Sequence, residues 1–103
     1  MSNKAPIGKR LKEARIAAEI SQKKLGIAAG MDEFVASARM NQYETGKHTP
    51  DYTILHRIAD ALKVPTPYFY TQDNQLAELI KAYGKLKKAQ KIKLLTFLET
   101  LIP

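Results

Sequence analysis

The chain has 103 residues, 45% of them hydrophobic, which is enough for one domain with a small buried core. It contains no cysteine, so a disulfide framework and a thiolate metal site are both excluded. Lys and Arg total 17 against 10 Asp and Glu, and the net charge of +7 suits a polyanion, either nucleic acid or an anionic membrane surface.

A short polar arm, residues 1–6, precedes the first predicted helix, which runs from Ile7 to about Ala18. Ser21 is then a good N-cap for a second helix, Gln22 to Ala29, which ends before Gly30. The apolar residues of the first helix recur at the spacing of one buried face: Ile7, Leu11, Ala14 and Ala18.

A third, short helix is predicted from about Ser37 to Thr45, ending at Gly46. Met40 and Tyr43 can face a core, which leaves small, amide and guanidinium side chains on the other faces. Such a helix is suited to reading base edges in a DNA groove. The candidate base-facing residues are Ser37, Ala38, Arg39, Asn41 and Gln42.

The fourth predicted helix starts after Asp51, a credible N-cap, and covers Tyr52 to about Lys63. A short helical turn follows from about Pro65 to Tyr70, with Phe69 as its best core residue. Five helical elements joined by short loops make residues 1–72 a compact all-α unit. The stripe that marks the buried face of the fourth helix is Ile54, Leu55, Ile58, Ala59 and Leu62.

Residues 73–103 form a C-terminal extension of two predicted helices separated near Gly84. Residues 1–72 carry 11 basic and 7 acidic side chains (+4), and the extension carries 6 and 3 (+3), so positive charge is spread over both parts. The first helix of the extension shows one apolar stripe: Leu76, Leu79, Ile80 and Tyr83.

The second helix of the extension is apolar over much of its circumference between Ile92 and Ile102, so it needs a surface to bury against. A second copy of the chain is the expected surface, and folding back on the first unit is the alternative. A membrane-surface helix is disfavoured because the lysines form no clean polar face along this segment. The residues expected to form the dimer contact are Leu94, Leu95, Leu98 and Leu101.

Four segments together resemble the helix-turn-helix domain of the phage repressor/Cro-like family, the xenobiotic-response-element type of bacterial regulator. They are IGKRLKEAR, SQKKLGIAAGM, MNQYETGKHTP and ILHRIADALKVPTPYFY, and they span about Ile7 to Tyr70. The resemblance implies a lambda-repressor-like fold of five helices, with the third helix in the major groove of double-stranded DNA.

The resemblance also implies roles for individual residues. The base-facing positions of the family correspond to the third-helix residues named above. Arg15 and Glu44 correspond to a structural pair that ties the first helix to the end of the third. Positions that contact the phosphate backbone correspond to Gln22, Lys23, Lys47 and Thr49.

The sequence departs from the family pattern because four residues are inserted between Gly30 and Glu44, and the turn before the third helix is therefore longer. Phe34 or Val35 is expected to pack into the core and hold this turn. Alternatively, Asp32 caps a longer helix that begins at Glu33, which shifts the base-contacting set toward Glu33, Ala36 and Ser37. In addition, Glu19 stands where the family often has glycine.

The expected function is that of a sequence-specific transcriptional regulator, a repressor in the cytoplasm that binds a symmetric operator as a homodimer. The alternative is an antitoxin-like or other interaction module that binds a partner protein through its C-terminal helices. An enzyme is not expected, because the sequence has no Gly-rich phosphate loop, no cysteine and no Ser/His/Asp set placed by a motif. The isolated His48 and His56 make a metal site improbable, no cofactor is expected, and no apolar run is long enough for a membrane span.

Overall fold

The computed structural model describes residues 5–103, and residues 1–4 of the predicted polar arm lie outside it. The described chain is entirely helical, so the predicted all-α class is confirmed. It contains six α-helices and one short 3-10 helix between the fourth and fifth. They are α1 (Ile7–Ala17), α2 (Gln22–Ala28), α3 (Ala36–Glu44), α4 (Tyr52–Leu62), the 3-10 helix (Thr66–Tyr70), α5 (Asn74–Tyr83) and α6 (Lys88–Leu101).

Local capping fixes where several helices start. The Ser21 hydroxyl accepts a hydrogen bond from the backbone N–H of Lys24 at 3.1 Å, and the Asp51 carboxylate accepts one from Ile54 at 2.8 Å. The Asp73 side chain caps α5 in the same way. Each cap satisfies a backbone donor that has no partner inside the helix, so the sequence alone locates these starts well.

Helices α1, α2, α3 and α4 and the 3-10 helix share one hydrophobic core. Its members follow the predicted helical stripes, and Phe69 is buried as expected. Ala18 is an exception: it was expected in the buried stripe of α1 but is exposed, because the helix ends at Ala17. The largest fully buried side chains are Tyr68, Phe69, Leu11, Leu25, Met40, Leu55 and Ile58.

Helix α5 packs on this bundle through one edge of its apolar stripe. Ile80 of the stripe packs against the core, while Leu76 and Leu79 are each 47% exposed and the neighbouring Ala77 is fully buried. A Cβ added to Gly84 would lie 2.8 Å from the Pro65 ring. Small residues on this side thus allow a close approach of α5 to the bundle.

The buried Arg10 holds the start of α5 against α1. Its guanidinium donates hydrogen bonds to the backbone carbonyls of Thr71 and Gln72 and to Oδ1 of Asn74, at 3.0–3.1 Å. A charged residue in α1 is expected on the solvated face, but Arg10 lies three residues after Ile7 and is only 3% exposed, on the buried side of the helix. It ties the connection between the 3-10 helix and α5 to the first helix.

Helix α6 differs from every other helix because none of its residues is buried. Ile92, Leu95, Phe97 and Leu101 are each more than half exposed. The ammonium of Lys91 lies 4.9 Å from the centre of the Tyr83 ring, which links the start of α6 to α5. The chain measures 52 × 34 × 22 Å with a radius of gyration of 15.2 Å, above the about 13 Å of a compact 100-residue domain.

Candidate nucleic-acid interface

Helix α3 is anchored along one edge and exposed along the rest. Ala36, Met40 and Tyr43, spaced at i, i+4 and i+7, are buried in the bundle. The anchoring residues therefore include both predicted ones, and the helix begins one residue before the predicted start. Of the five candidate base-facing residues, Gln42 is half-buried and the other four are exposed: Ser37, Ala38, Arg39 and Asn41.

The position of α3 depends on a close approach to α2 at Gly26. A Cβ added to Gly26 would lie 2.8 Å from the Cβ of Ala36 and 3.1 Å from its Cα, which is closer than atoms in folded proteins pack. Glycine and alanine at these two positions thus let α2 and the start of α3 come together. The approach explains why a glycine is tolerated inside α2 despite its low helix propensity.

The widened turn occupies residues 29–35 and ends in one helical turn. The carbonyl of Asp32 accepts hydrogen bonds from the N–H groups of Val35 and Ala36, and its carboxylate accepts one from Phe34 at 2.8 Å. Asp32 therefore caps a turn that leads into α3. The helix starts at Ala36, between the two starts that the sequence allowed, Glu33 and about Ser37. The alternative base-contacting set was Glu33, Ala36 and Ser37. Of these, Ala36 is buried and is not accessible to DNA.

The expectation that Phe34 or Val35 holds this turn in the core was wrong. Phe34 is 88% exposed and Val35 is 43% exposed. Ala36 takes the inward position against Gly26, and Met31 packs at the edge of the core. These two residues close the turn from the inside, so the aromatic ring stays in solvent.

Arg15 and Glu44 form a bidentate ion pair at the end of α3. The Nε of Arg15 donates to Glu44 at 2.6 Å, its Nη2 donates at 3.1 Å, and its Nη1 donates to the Ile20 carbonyl at 3.1 Å. The side chains are 16% and 3% exposed, so the pair is largely shielded from water. The hydrogen bond to Glu44 raises the pKa of Arg15, which keeps the guanidinium charged. The pair joins α1 to α3.

Gln22, at the start of α2, contacts the same end of α3. Its Nε2 donates to Oδ1 of Asn41 at 3.3 Å and to Oε1 of Glu44 at 3.2 Å. The contact of Gln22 with the phosphate backbone stays a prediction. In the structure Gln22 is half-buried and bridges Asn41 and Glu44 at the end of α3.

The remaining candidate phosphate ligands lie exposed at the ends of α2 and α3. Lys23 is in the first turn of α2, and Lys47 and Thr49 are in the loop after α3. The loop turns back toward α3 through a hydrogen bond from the N–H of His48 to the Gln42 carbonyl at 3.2 Å. These side chains and the exposed residues of α3 therefore share one region of the molecule.

The backbone also explains the unusual residue after α1. Glu19 has φ of 54°, in the left-handed region that favours glycine. This geometry explains why glycine suits the position, from which the sequence departs with Glu19.

Within residues 5–103, no group of three His, Asp or Glu side chains is placed to hold a metal ion. No helix in the same range is both long and apolar enough to cross a membrane.

Comparison with known proteins agrees with this geometry. A family model described as a helix-turn-helix domain matches residues 6–67. The crystal structure of the transcriptional regulator BswR is similar to this chain with a TM-score of 0.85 and 48% sequence identity, over 91% of this chain and 93% of that one. A search among curated proteins gave no match.

Proposed function

The chain belongs to the helix-turn-helix domain family, and we propose that it is a sequence-specific repressor that binds double-stranded DNA as a homodimer. DNA-binding transcriptional regulation is the class that its family and its structural neighbour support. Repression follows most simply from occupancy, because a protein bound at an operator blocks that DNA to others.

The exposed surface of α3 carries this proposal. Three residues anchor the helix in the core, and the side chains that remain outside are small, amide or guanidinium groups. A helix presented in this way fits the width of the major groove. The surrounding Lys23 and Lys47 supply positive charge where the phosphate backbones would run.

The chemistry of each exposed residue suggests what it reads. The amide of Gln42 can pair with the N6 and N7 atoms of adenine, and the guanidinium of Arg39 with O6 and N7 of guanine. The methyl of Ala38 can contact a thymine methyl. The Oδ1 of Asn41 accepts one hydrogen bond from Gln22, and its amide nitrogen remains free to donate to a base or a phosphate. Ser37, at the start of α3, completes the surface.

The phosphate contacts of the proposal lie on both sides of α3. Lys23, Lys47 and Thr49 are exposed and have no role in the core. Gln22 contributes indirectly through Asn41 and Glu44, since its Nε2 is engaged with both. Contacts of this kind fix the orientation of the protein and depend steeply on salt, while the α3 contacts select sequence.

The exposed leucines of α6 support the proposal of a homodimer. Leu95 and Leu101 are exposed and Leu94 and Leu98 are half-buried, and together they follow an i, i+1, i+4, i+7 pattern on one side of the helix. Pairing two such helices would remove this apolar area from water. A symmetric dimer then requires half-sites about 34–36 Å apart, or a multiple of that distance.

The same exposed helix favours a second candidate, an interaction module of the antitoxin kind. In that case α6 binds a different protein while α3 binds DNA. The two candidates differ in the mass of the isolated protein, which is a dimer in the first and a monomer in the second.

The test of the DNA surface is a binding-site selection from random duplexes, followed by single substitutions. Gln42→Ala and Arg39→Ala should each weaken binding to the selected duplex by about 1–3 kcal/mol and relax the preference at one base pair. Lys47→Ala should weaken binding to all duplexes alike and lower the salt slope by about one unit. The readout is affinity measured at several salt concentrations.

Lys12→Ala is the matched control, because Lys12 is exposed on α1 outside the proposed surface. It should leave the base preference unchanged. If both α3 variants keep the full preference of the parent protein, then α3 is not the reading helix in this register and the assignment fails.

A further inference from the structure

We propose that Arg10 sets the spacing between the two half-sites of the operator, because it fixes the direction in which α5 leaves the helix-turn-helix bundle. The inference rests on the proposed function and adds a positioning residue to it. In the dimer, each α3 helix selects the bases of one half-site, while Arg10 decides how far apart the two α3 helices lie.

The link between the bundle and the C-terminal helices is short and extended. It consists of residues 71–73, between the 3-10 helix that ends at Tyr70 and helix α5 that starts at Asn74. Thr71 and Asp73, at the two ends of the link, have extended backbone angles, with φ and ψ of −92° and 114° and of −67° and 121°. An extended link lacks the internal hydrogen bonds of a helix, so other groups must hold it if α5 is to keep one direction.

The guanidinium of Arg10 holds this link and the first residue of α5 together. Its Nε donates to the Thr71 carbonyl at 3.0 Å, and its Nη2 donates to the Gln72 carbonyl at 3.1 Å and to Oδ1 of Asn74 at 3.0 Å. The rigid, planar fork of arginine fixes the directions of these acceptors as well as their distances. Arg10 is 3% exposed and lies 5.7 Å from the centre of the Tyr68 ring. Rotation of the link would cost this buried cation three hydrogen bonds, which is strongly unfavourable.

Apolar burial restrains the start of α5 only weakly. Ala77 is the one buried residue of α5, while Leu76 and Leu79 are each 47% exposed. Burial of a single methyl group stabilises far less than burial of two leucine side chains would. The other contacts of α5 with the bundle lie further along the helix, at Ile80, Lys81 and Gly84. The direction of the first turn of α5 therefore depends on the hydrogen bonds of Arg10.

Helix α6 follows the direction of α5 because the turn between the two helices is tight. The N–H groups of Lys85 and Leu86 donate to the carbonyls of Ala82 and Tyr83 at 3.0 and 3.1 Å. The ammonium of Lys91, in α6, lies 4.9 Å from the centre of the Tyr83 ring. A change in the direction of α5 is therefore passed on to the helix that carries the proposed dimer contact.

A small change of direction is enough to alter the spacing. The ten residues of α5 rise about 15 Å, so a tilt of about 13° displaces one end of the helix relative to the other by about 3.4 Å. This displacement equals the rise of one base pair along DNA, which is about 3.4 Å. Restraint of α5 to within about ten degrees therefore lets the dimer distinguish operators that differ by one base pair in length.

The test is a series of duplexes that carry the selected half-site twice, with the separation changed one base pair at a time. A duplex with one half-site measures the reading of sequence alone. The full-length parent protein should bind one spacing best and lose about tenfold or more in affinity when one base pair is added or removed, since linkage helps only when both contacts fit. Arg10→Met should lose less than about threefold over the same steps, and its affinity for the single half-site should stay within about twofold of the parent value.

Three further variants separate positioning from stability. Asn74→Ala removes one exposed acceptor and leaves the charge of Arg10, so it should weaken the spacing preference less than Arg10→Met does. It decides the test if Arg10→Met lacks the helical content of the parent protein. Lys12→Met removes an exposed charge from α1, and Ile58→Val removes a buried methyl group from α4. Both of these controls should keep the spacing preference of the parent protein.

A parent protein that binds all spacings equally would overturn the inference, and so would folded Arg10 and Asn74 variants that keep the spacing preference of the parent protein. In both cases, sequence-specific binding as a dimer would stand. A broadened preference in Ile58→Val would also overturn it, because a loss of stability alone would then explain the result. Failure to select any duplex, or a monomeric parent protein, would remove the proposed function and the inference with it.

Discussion

The bundle formed by α1 to α4 and helix α6 contain the same kinds of apolar side chain but use them differently. Each helix of the bundle buries residues along one stripe, as Leu55, Ile58 and Ala59 do in α4. Helix α6 is the longest of the described helices and buries none. Its apolar residues are distributed around the axis, and among its leucines only Leu94 and Leu98 are half-buried.

The difference shows that spacing, more than apolar content, decides where stability resides. Apolar burial stabilises the bundle within one chain, and contacts between α1, α2 and α3 hold α3 in place. The exposed area of α6 can contribute only when another surface covers it. Changes in the bundle should therefore alter the unfolding of a single chain, and changes in α6 should alter its association.

The largest effect is expected at the ion pair between α1 and α3. Glu44→Ala leaves the Arg15 guanidinium shielded from water without its partner, so the free energy of unfolding should fall by about 3–5 kcal/mol. Urea denaturation followed by circular dichroism measures it. The pKa of Arg15 is raised in the folded state, which adds stability below the unfolded-state pKa, and both values lie far above neutrality. The part of the loss in unfolding free energy that is due to Arg15 should therefore be the same at every pH from about 6 to 9.

The exposed pair Lys81–Glu78 is the matched control for the buried one. Its Nζ–Oε1 distance is 3.0 Å, but Glu78 is 67% exposed, so Glu78→Ala should cost no more than about 1 kcal/mol. Equal losses at Glu44 and Glu78 would contradict the view that shielding from water makes the α1–α3 pair important.

A smaller loss is expected where α2 meets α3. Gly26→Ala places a methyl against the Cα and Cβ of Ala36, which should lower the free energy of unfolding by about 1–3 kcal/mol through overpacking. The same denaturation experiment measures it. The double variant Gly26→Ala with Ala36→Gly removes one of the two clashing methyls and should recover part of the loss. A double variant that is less stable than the sum of the single variants would argue against a steric cause.

Features that depend on neighbouring residues could be predicted from the sequence, and features that depend on distant ones could not. The caps at Ser21 and Asp51 and the stripe of α4 are local, and they located α2 and α4 to within one or two residues. The direction of Phe34 depends on how closely Gly26 approaches Ala36, which no local pattern reports. The same limit applies to Gln22, whose partner Asn41 lies 19 residues away.

The α5 helix shows the limit most clearly. Its apolar stripe does not tell which side meets the bundle: Leu76 and Leu79 are each 47% exposed, and the neighbouring Ala77 is buried. The deciding surface is made by Tyr68 and Pro65, which contact Lys81 and Gly84 of α5. A periodic pattern identifies a helix reliably, but the face that is buried depends on the shape of what it meets.

The smallest effect on single-chain stability is expected in α6, and it tests the comparison most directly. Leu95 and Leu101 are 53% and 62% exposed, so the double variant Leu95→Gln and Leu101→Gln should change the unfolding free energy of the dilute protein by less than about 0.5 kcal/mol. Sedimentation of the parent protein should give the mass of a dimer, and the variant should give that of a monomer at the same concentration. Ile16 in the bundle is similarly exposed, and Ile16→Gln should leave the molecular mass measured by sedimentation unchanged.

The outcome separates three arrangements of α6. A dimer that survives the double substitution would place the contact elsewhere on the molecule. A parent protein that is monomeric at all concentrations would favour a different partner chain for α6. A large loss of single-chain stability would mean that α6 packs on its own bundle in solution. Monomerisation of the variant should also weaken operator binding far more than it weakens binding to a single half-site, since only a dimer gains from two linked contacts.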